Sequence, residues 1–325
     1  MATKFYTPGY RNAMAMKKPG GSTWVNLPIL PGTGFAMPYN YQIPPVISGF
    51  NVYQFNAVEG LQFATINLQT LIMKSWWSGS KADLWEQWFP ERKDNDDVLD
   101  LGNGTDPCLE FWFGSAEGPT SPEGRGFTFN RGKVNWVRLS ASQGDLVRLS
   151  MQILATGFAA ITTIPAEIKI ITDPPAASQH VELGGALTHS PGPTGTPVVS
   201  WELTLMNNLM PSPLLNSEVY PYEFNAGQFT ASMRLVMPVA VDLPTEAGPG
   251  LLPTACEFTI KCPTDRREPP GSETDAMTFK VMNYLAFDPR ERTVALPRQL
   301  KEVNYACLGK WQTNDQTMSR PIEFV

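Results

Sequence analysis

A chain of 325 residues can bury the cores of two ordinary domains, and two is the starting expectation. Only 17% of its residues are charged, while glycine and proline number 26 and 30, a balance that fits a turn-rich β protein with much surface covered by partners. The net charge of -6 disfavours a nucleic-acid coat, the four separated cysteines fit buried free thiols rather than a zinc site, and no apolar run reaches the ~18 residues of a membrane helix or makes a signal-peptide core.

From Met1 to Val58 the sequence holds Lys4, Arg11, Lys17 and Lys18 and no aspartate or glutamate, so the acidic excess lies wholly downstream. Residues 1–45 read as an extended basic arm with those four cations as contacts to an acidic neighbour, although a solvated tail has the same composition. Leu61 to Met73 alternates as a strand does, with a phase slip between Thr65 and Ile66 that predicts a β-bulge. Ser80 and Asp83 stand at capping-box spacing, and Leu84, Trp85, Trp88 and Phe89 form an apolar stripe ahead of Pro90, which predicts one short helix packed on a sheet.

The loop from Glu91 to Pro107 carries Asp94, Asp96, Asp97, Asp100 and Asp106. It opens acceptably for a calcium loop, but Leu99 sits where glycine is required and no glutamate closes it, so the carboxylates read as solvated and no metal is expected. Gly114 to Gly118 lacks the order of a nucleophile elbow. Further on, Val137 and Leu139, the turn segment Ser142-Gln143-Gly144-Asp145, and Val147, Leu149, Met151 and Ile153 spell a hairpin.

Residues 173–197 are rich in proline, glycine, serine and threonine and read as a linker or exposed loop. Both histidines, His180 and His189, fall within it, where nothing fixes an imidazole against a serine or cysteine, so no catalytic residue is assigned. No phosphate-cradling glycine loop occurs, and no cofactor is expected. Beyond the linker, Val199, Trp201, Leu203 and Leu205, and then Phe229, Ala231, Met233, Leu235 and Met237, alternate as strands with one buried face.

Short matches recur in order on either side of the linker. Tyr53-Gln-Phe-Asn-Ala57 parallels Tyr222-Glu-Phe-Asn-Ala226, Gln62-Phe63 parallels Gln228-Phe229, Glu110-Phe111 parallels Glu257-Phe258, and Phe127-Thr-Phe129 parallels Met277-Thr-Phe279. Their shared order suggests an internal duplication, with a first domain over 46–172 and a second over 198–325.

The stretch Arg131 to Ile153, and Val199 to Pro211 with its Asn207-Asn208-x-x-Pro ending, leading to Tyr222–Leu235, is similar to the strands and turns of tail tube proteins of long-tailed bacteriophages. The resemblance covers about Phe127 to Ile260. It implies a mainly β fold of two tandem β-sandwich or rolled-sheet domains with a short flanking helix and the basic arm, and a non-enzymatic virion subunit assembled in the host bacterial cytoplasm. Single-domain tubes of this kind are six-membered rings, so a duplicated chain implies stacked three-membered rings, capped or filled by tape-measure, terminator and baseplate proteins. DNA passes through without specific binding, and no membrane is entered. Asp94, Asp96, Asp97 and Asp100 become candidates for a lumen or inter-ring surface. The rival readings are a related phage ring or decoration protein, and a carbohydrate-binding sandwich or glycosidase using Trp76, Trp77, Trp85 and Trp88.

Overall fold

Alternating apolar and polar side chains dictate strands, and every regular element among the described residues is one. The computed structural model describes residues 12–17, 24–36, 41–42, 45–48, 51–54, 58–59, 62–72, 109–114, 124–142, 145–161, 182–184, 196–197, 199–212, 223–225, 227–228, 230–238, 257–263, 276–282, 284–294, 300–307, 311–312, 317–318 and 322–324. The helix expected over 80–89 and the four tryptophans from Trp76 to Trp88 lie outside these residues. The protein is mainly β, built on antiparallel pairing.

The first half supplies β1 (Asn12–Lys17), β2 (Trp24–Leu27), β3 (Gly34–Ala36), β4 (Tyr41–Gln42), β5 (Pro45–Ser48), β6 (Asn51–Gln54), β7 (Val58–Glu59), β8 (Ala64–Leu71), β9 (Leu109–Gly114), β10 (Gly124–Ser142) and β11 (Arg148–Ile161). The second supplies β12 (Glu182–Gly184), β13 (Thr196–Pro197), β14 (Ser200–Met206), β15 (Met210–Ser212), β16 (Glu223–Asn225), β17 (Thr230–Pro238), β18 (Glu257–Pro263), β19 (Ala276–Met282), β20 (Tyr284–Val294), β21 (Leu300–Cys307), β22 (Trp311–Gln312), β23 (Thr317–Met318) and β24 (Ile322–Phe324). Four strands, β1 to β4, thus fall within residues 1–45, and two short ones, β12 and β13, within 173–197.

Eleven strands make the largest sheet. Its long path runs β3-β8-β11-β10-β14-β17-β21-β20, and a branch, β9-β1-β2, leaves from the first part of β10. The branching is possible because β10 is 19 residues long: Gly124–Phe129 pairs with β9 and Trp136–Ser142 pairs with β14, while β11 lies along its other edge. A second sheet runs β13-β12-β18-β19-β24. The expected hairpin is β10–β11, its turn tied by Asp145 N–H donating to Ser142 O at 3.0 Å.

One face of the long path is apolar and buried. Ala64, Ile66 and Leu68, then Leu149, Met151 and Ile153, Val137 and Leu139, Leu203 and Leu205, and Met233 and Leu235 are all at most 2% exposed. Burying side chains of this size contributes about 1.5–3 kcal/mol each, so this face is the main source of stability. The β-bulge expected between Thr65 and Ile66 does not occur: β8 alternates without a break and holds one register against β11. The misreading came from Gln62 and Thr70, polar residues that are nonetheless buried in the apolar phase.

The path repeats an order. The strands β3-β8-β11-β10 and β14-β17-β21-β20 each contain four strands joined in the same sequence order, and each is accompanied by a side ladder, β2-β1-β9-β10 and β13-β12-β18-β19. In the first set the row Gly34, Asn67, Gln152, Trp136 crosses the four strands. In the second the row is Glu202, Arg234, Asn304, Asp288. Each row lies directly after a register shift, between Val134 and Trp136 in β10 and between Ala286 and Asp288 in β20.

Candidate assembly surface

The two strand sets meet at the β10–β14 seam. Val137, Leu139 and Ala141 stand opposite Leu205, Leu203 and Trp201, and all six side chains are buried. Cross-strand apolar partners of this kind are the unit of sheet stabilisation, so the seam is as much core as any other part of the sheet.

Where β10 changes partners from β9 to β14, its backbone groups need other ligands. Asn135 is the extra residue at the register shift, and the segment after β14 is drawn onto it. Asn207 N–H donates to Asn135 O at 2.7 Å, Asn207 Nδ2 donates to Val134 O at 2.8 Å, and Leu209 N–H donates to Asn135 Oδ1 at 2.8 Å. Asn135 Nδ2 in turn donates to Gln152 Oε1 at 2.7 Å, and Gln152 Nε2 to Asn67 Oδ1 at 3.3 Å. Asn207 is only 4% exposed, so its amide is a structural ligand rather than a solvated group.

Asn208 then turns with φ 50°, and Gly227 closes on it: the Gly227 N–H donates to Asn207 O at 3.0 Å and Asn208 O at 3.1 Å. A Cβ on Gly227 would lie 2.5 Å from Asn208 O, so the close approach requires glycine. The β15–β16 hairpin is thereby seated on the sheet, with Leu209 and Phe224 buried beside Leu154 and the ring of Phe63 edge-on to Phe224 at 5.8 Å.

The second face of the long path is polar. Asn67, Gln69, Arg138, Arg148, Ser232 and Arg234 are exposed on it. Arg234 Nη2 donates to Glu302 Oε2 at 2.7 Å, and this hydrogen bond raises the Arg234 pKa, keeping the guanidinium charged. Arg138 lies 3.5 Å from Glu202 and over the Trp136 ring at 5.8 Å. A hollow of about 310 Å³ opens on this face between Ser140, Ser200, Arg148 and Arg234. Among the described residues no group of three His, Cys, Asp or Glu side chains is placed to hold a metal ion.

Both ends of the path are open among the described residues: β3 pairs only with β8, and β20 only with β21. Each carries features that blunt an exposed edge. β3 has three residues, and β20 contains Pro289 and two register shifts. Beside β3, Thr33 Oγ1 and Leu30 N–H donate to Gln69 O at 2.8 and 2.9 Å through a turn with Gly32 at φ 96°.

Of the residues singled out from sequence, Lys17 ends β1 opposite Trp24. Lys4, Arg11, Lys18, Asp94, Asp96, Asp97 and Asp100 lie outside the described residues. Sequence reasoning assigned no role to Asn135, Asn207 and Gln152, whose partners are 17 to 85 residues away in the chain. A signal was present at Val134 and Val137: two buried apolar residues three apart in one strand require an extra residue between them.

An antiparallel sheet with a buried apolar face, a polar face and, among the described residues, two open and guarded edges defines a mainly β protein. The chain belongs to the phage tail tube protein family, which matches residues 54–259, more than half of its length and across the β10–β14 seam. No curated protein matched the chain. It is a structural component of the phage tail that associates with itself and with other tail proteins.

Proposed function

We propose that this chain is the major tail tube subunit, a tandem duplication of one tube unit, and that three chains close a ring whose stacking makes the DNA-conducting tube. The repeated strand order, with a register shift at the same ladder step in both sets, carries the reading. Unrelated strands would have no reason to share both. The first unit then begins near β1 and ends with β11, and the second runs from β12 to β21. Residues 1–45 and 173–197 contribute strands to those units.

The register supports closure as well. The row Gly34-Asn67-Gln152-Trp136 continues to Met206, four residues past Glu202, which is the counterpart of Gly34 in the second set. A stagger of four residues over four strands equals one residue per strand, the ratio at which barrel strands tilt by about 36°. Six units of four strands then enclose a barrel about 45 Å across the backbone at ~4.8 Å between strands. The polar face lines the lumen, where Arg138 and Arg234 are held by Glu202 and Glu302 and present little net charge to a passing phosphate backbone. The acidic loop with Asp94, Asp96, Asp97 and Asp100 and the cations Lys4, Arg11, Lys17 and Lys18 serve as contacts between rings. Tape-measure protein inside, and terminator and baseplate proteins at the ends, complete the partners of a tube assembled in the host bacterial cytoplasm.

Electron microscopy of the purified protein tests the reading. Hollow tubes of stacked rings with three chains per ring are expected. Single closed rings, rings with another number of chains, or monomers at every concentration overturn it.

A further inference from the structure

The proposal above says that chains join but not by which hydrogen bonds. We infer that the join is a three-residue antiparallel ladder between β20 of one chain and β3 of the next, in the register Arg292↔Ala36, Thr293↔Phe35 and Val294↔Gly34. This rests on the ring reading and adds to it the strands, the direction and the register.

The argument uses the seam the chain already makes with itself. In the first set, Arg148 and Ser150 of β11 pair with Ser140 and Arg138 of β10, which pair in turn with Glu202 and Thr204 of β14. The counterparts follow from the ladders. β8 matches β17 as Ile66 to Met233, and β11 matches β21 as Ile153 to Tyr305, because each pair is in register with its neighbour in the same order. Carried along β21, Arg148 and Ser150 become Leu300 and Glu302, whose β20 partners are Val294 and Arg292. On the other side, Phe35 is opposite Ile66 and Leu203 is opposite Met233, so Glu202 and Thr204 become Gly34 and Ala36.

Local geometry at both edges agrees with this. β20 is irregular between Ala286 and Arg292, and past that break Arg292–Val294 runs in regular register, which gives a three-residue stretch at the position the seam copy requires. β3 has three residues, Gly34–Ala36. Each strand is already hydrogen-bonded along its inner edge, so its outer edge is the one a second copy can add to. The other sheet margins, β2, β13 and β24, lie on the side ladders and have no counterpart of the β10–β14 seam to copy.

Paired cysteines test the register. Directly opposed residues have Cα atoms about 4.5–5.5 Å apart, within disulfide range, whereas a two-residue slip separates them by about 8 Å and forbids the bond. Gly34 tolerates the change because a Cβ there meets nothing within 4 Å, and Ala36 is exposed. The variants Gly34→Cys/Val294→Cys and Ala36→Cys/Arg292→Cys, oxidised as assembled tubes, are expected to form inter-chain disulfides at least tenfold faster than the slipped pair Ala36→Cys/Val294→Cys. Single-cysteine variants control for the native thiols. Equal rates for matched and slipped pairs, or no cross-link in intact tubes, overturn the register while leaving the ring reading standing. Wild-type protein that makes no tubes overturns both. Should a variant fail to fold, hydrogen exchange on wild-type protein decides the point: the amides of Phe35 and Thr293, which face away from β8 and β21, gain protection of at least tenfold between dilute chain and tube, and unchanged exchange refutes the join.

Discussion

Asn207 offers the sharpest test of the branch in the sheet. Its amide is 4% exposed and donates to Val134 O at 2.8 Å, at the point where β10 has left β9 and not yet met the regular part of β14. Asn207→Ala leaves that buried carbonyl without this donor, which costs about 1–3 kcal/mol. Asn207→Asp keeps the shape but sets a carboxylate oxygen against a carbonyl oxygen. The folded state then favours the protonated acid, so the carboxyl pKa of the variant rises above its unfolded value of about 3.9. A group with a raised folded pKa gives its full stability below the unfolded pKa and loses it as pH rises through the folded one. At pH 7 the Asp variant is therefore expected to be less stable than the Ala variant by about 2 kcal/mol, since each tenfold weakening of the acid on folding is worth ~1.4 kcal/mol. Near pH 4 the order reverses, because a protonated carboxyl can donate where alanine cannot. Urea titrations of dilute, unassembled protein followed by tryptophan fluorescence at the two pH values measure this. An Ala variant within ~0.5 kcal/mol of wild type, or an Asp variant at least as stable as the Ala variant at pH 7, refutes the structural role given to Asn207.

Further substitutions separate backbone from surface effects. Gly227→Ala places a Cβ 2.5 Å from Asn208 O in a turn pinned by two hydrogen bonds and is expected to cost about 1–3 kcal/mol, whereas Gly34→Ala, with open space around its Cβ, changes the urea midpoint hardly at all. Glu302→Gln removes a 2.7 Å ion pair whose arginine side chain is 49% exposed, so solvent screening limits the loss to about 1 kcal/mol or less. A double-mutant cycle with Arg234→Gln should give a coupling that shrinks as salt is raised from ~50 to ~500 mM, and a salt-independent coupling would count against the electrostatic account.

Strands with one buried face were legible because alternation is a local property. Trp201, Leu203 and Leu205, and Ala231, Met233 and Leu235, are buried as their spacing predicts. The hairpin over 137–153 was legible for the same reason, its turn residues being adjacent to both strands. What alternation could not reveal was pairing at a distance. β10 reads as one strand, yet its two ends have different neighbours, and that choice depends on β9 and β14, which lie before and after it in the chain. Asn207 continues the buried phase of β14 with a polar side chain, and only Val134, 73 residues earlier, explains it. The short matches pointed to a repeated order, but they do not set its register. Ladder partners match Ala64 with Ala231, an offset of 167, whereas the Gln62-Phe63 and Gln228-Phe229 match implies 166 and would turn every β8 side chain to the other face.

β10 and β14 meet within a single chain, and this separates the sheet's contacts by how their rates scale. A contact between parts of one chain closes at a rate that dilution does not touch, and each doubling of the connecting loop adds only about 0.6 kcal/mol to its cost. In the ring proposed above, the outer edges β3 and β20 would depend on encounter, so their pairing would slow in proportion as copies become scarce. Short length on one side and Pro289 with its irregular neighbours on the other let those edges wait. The inner seam keeps time with synthesis, and the outer one keeps time with the number of copies already made.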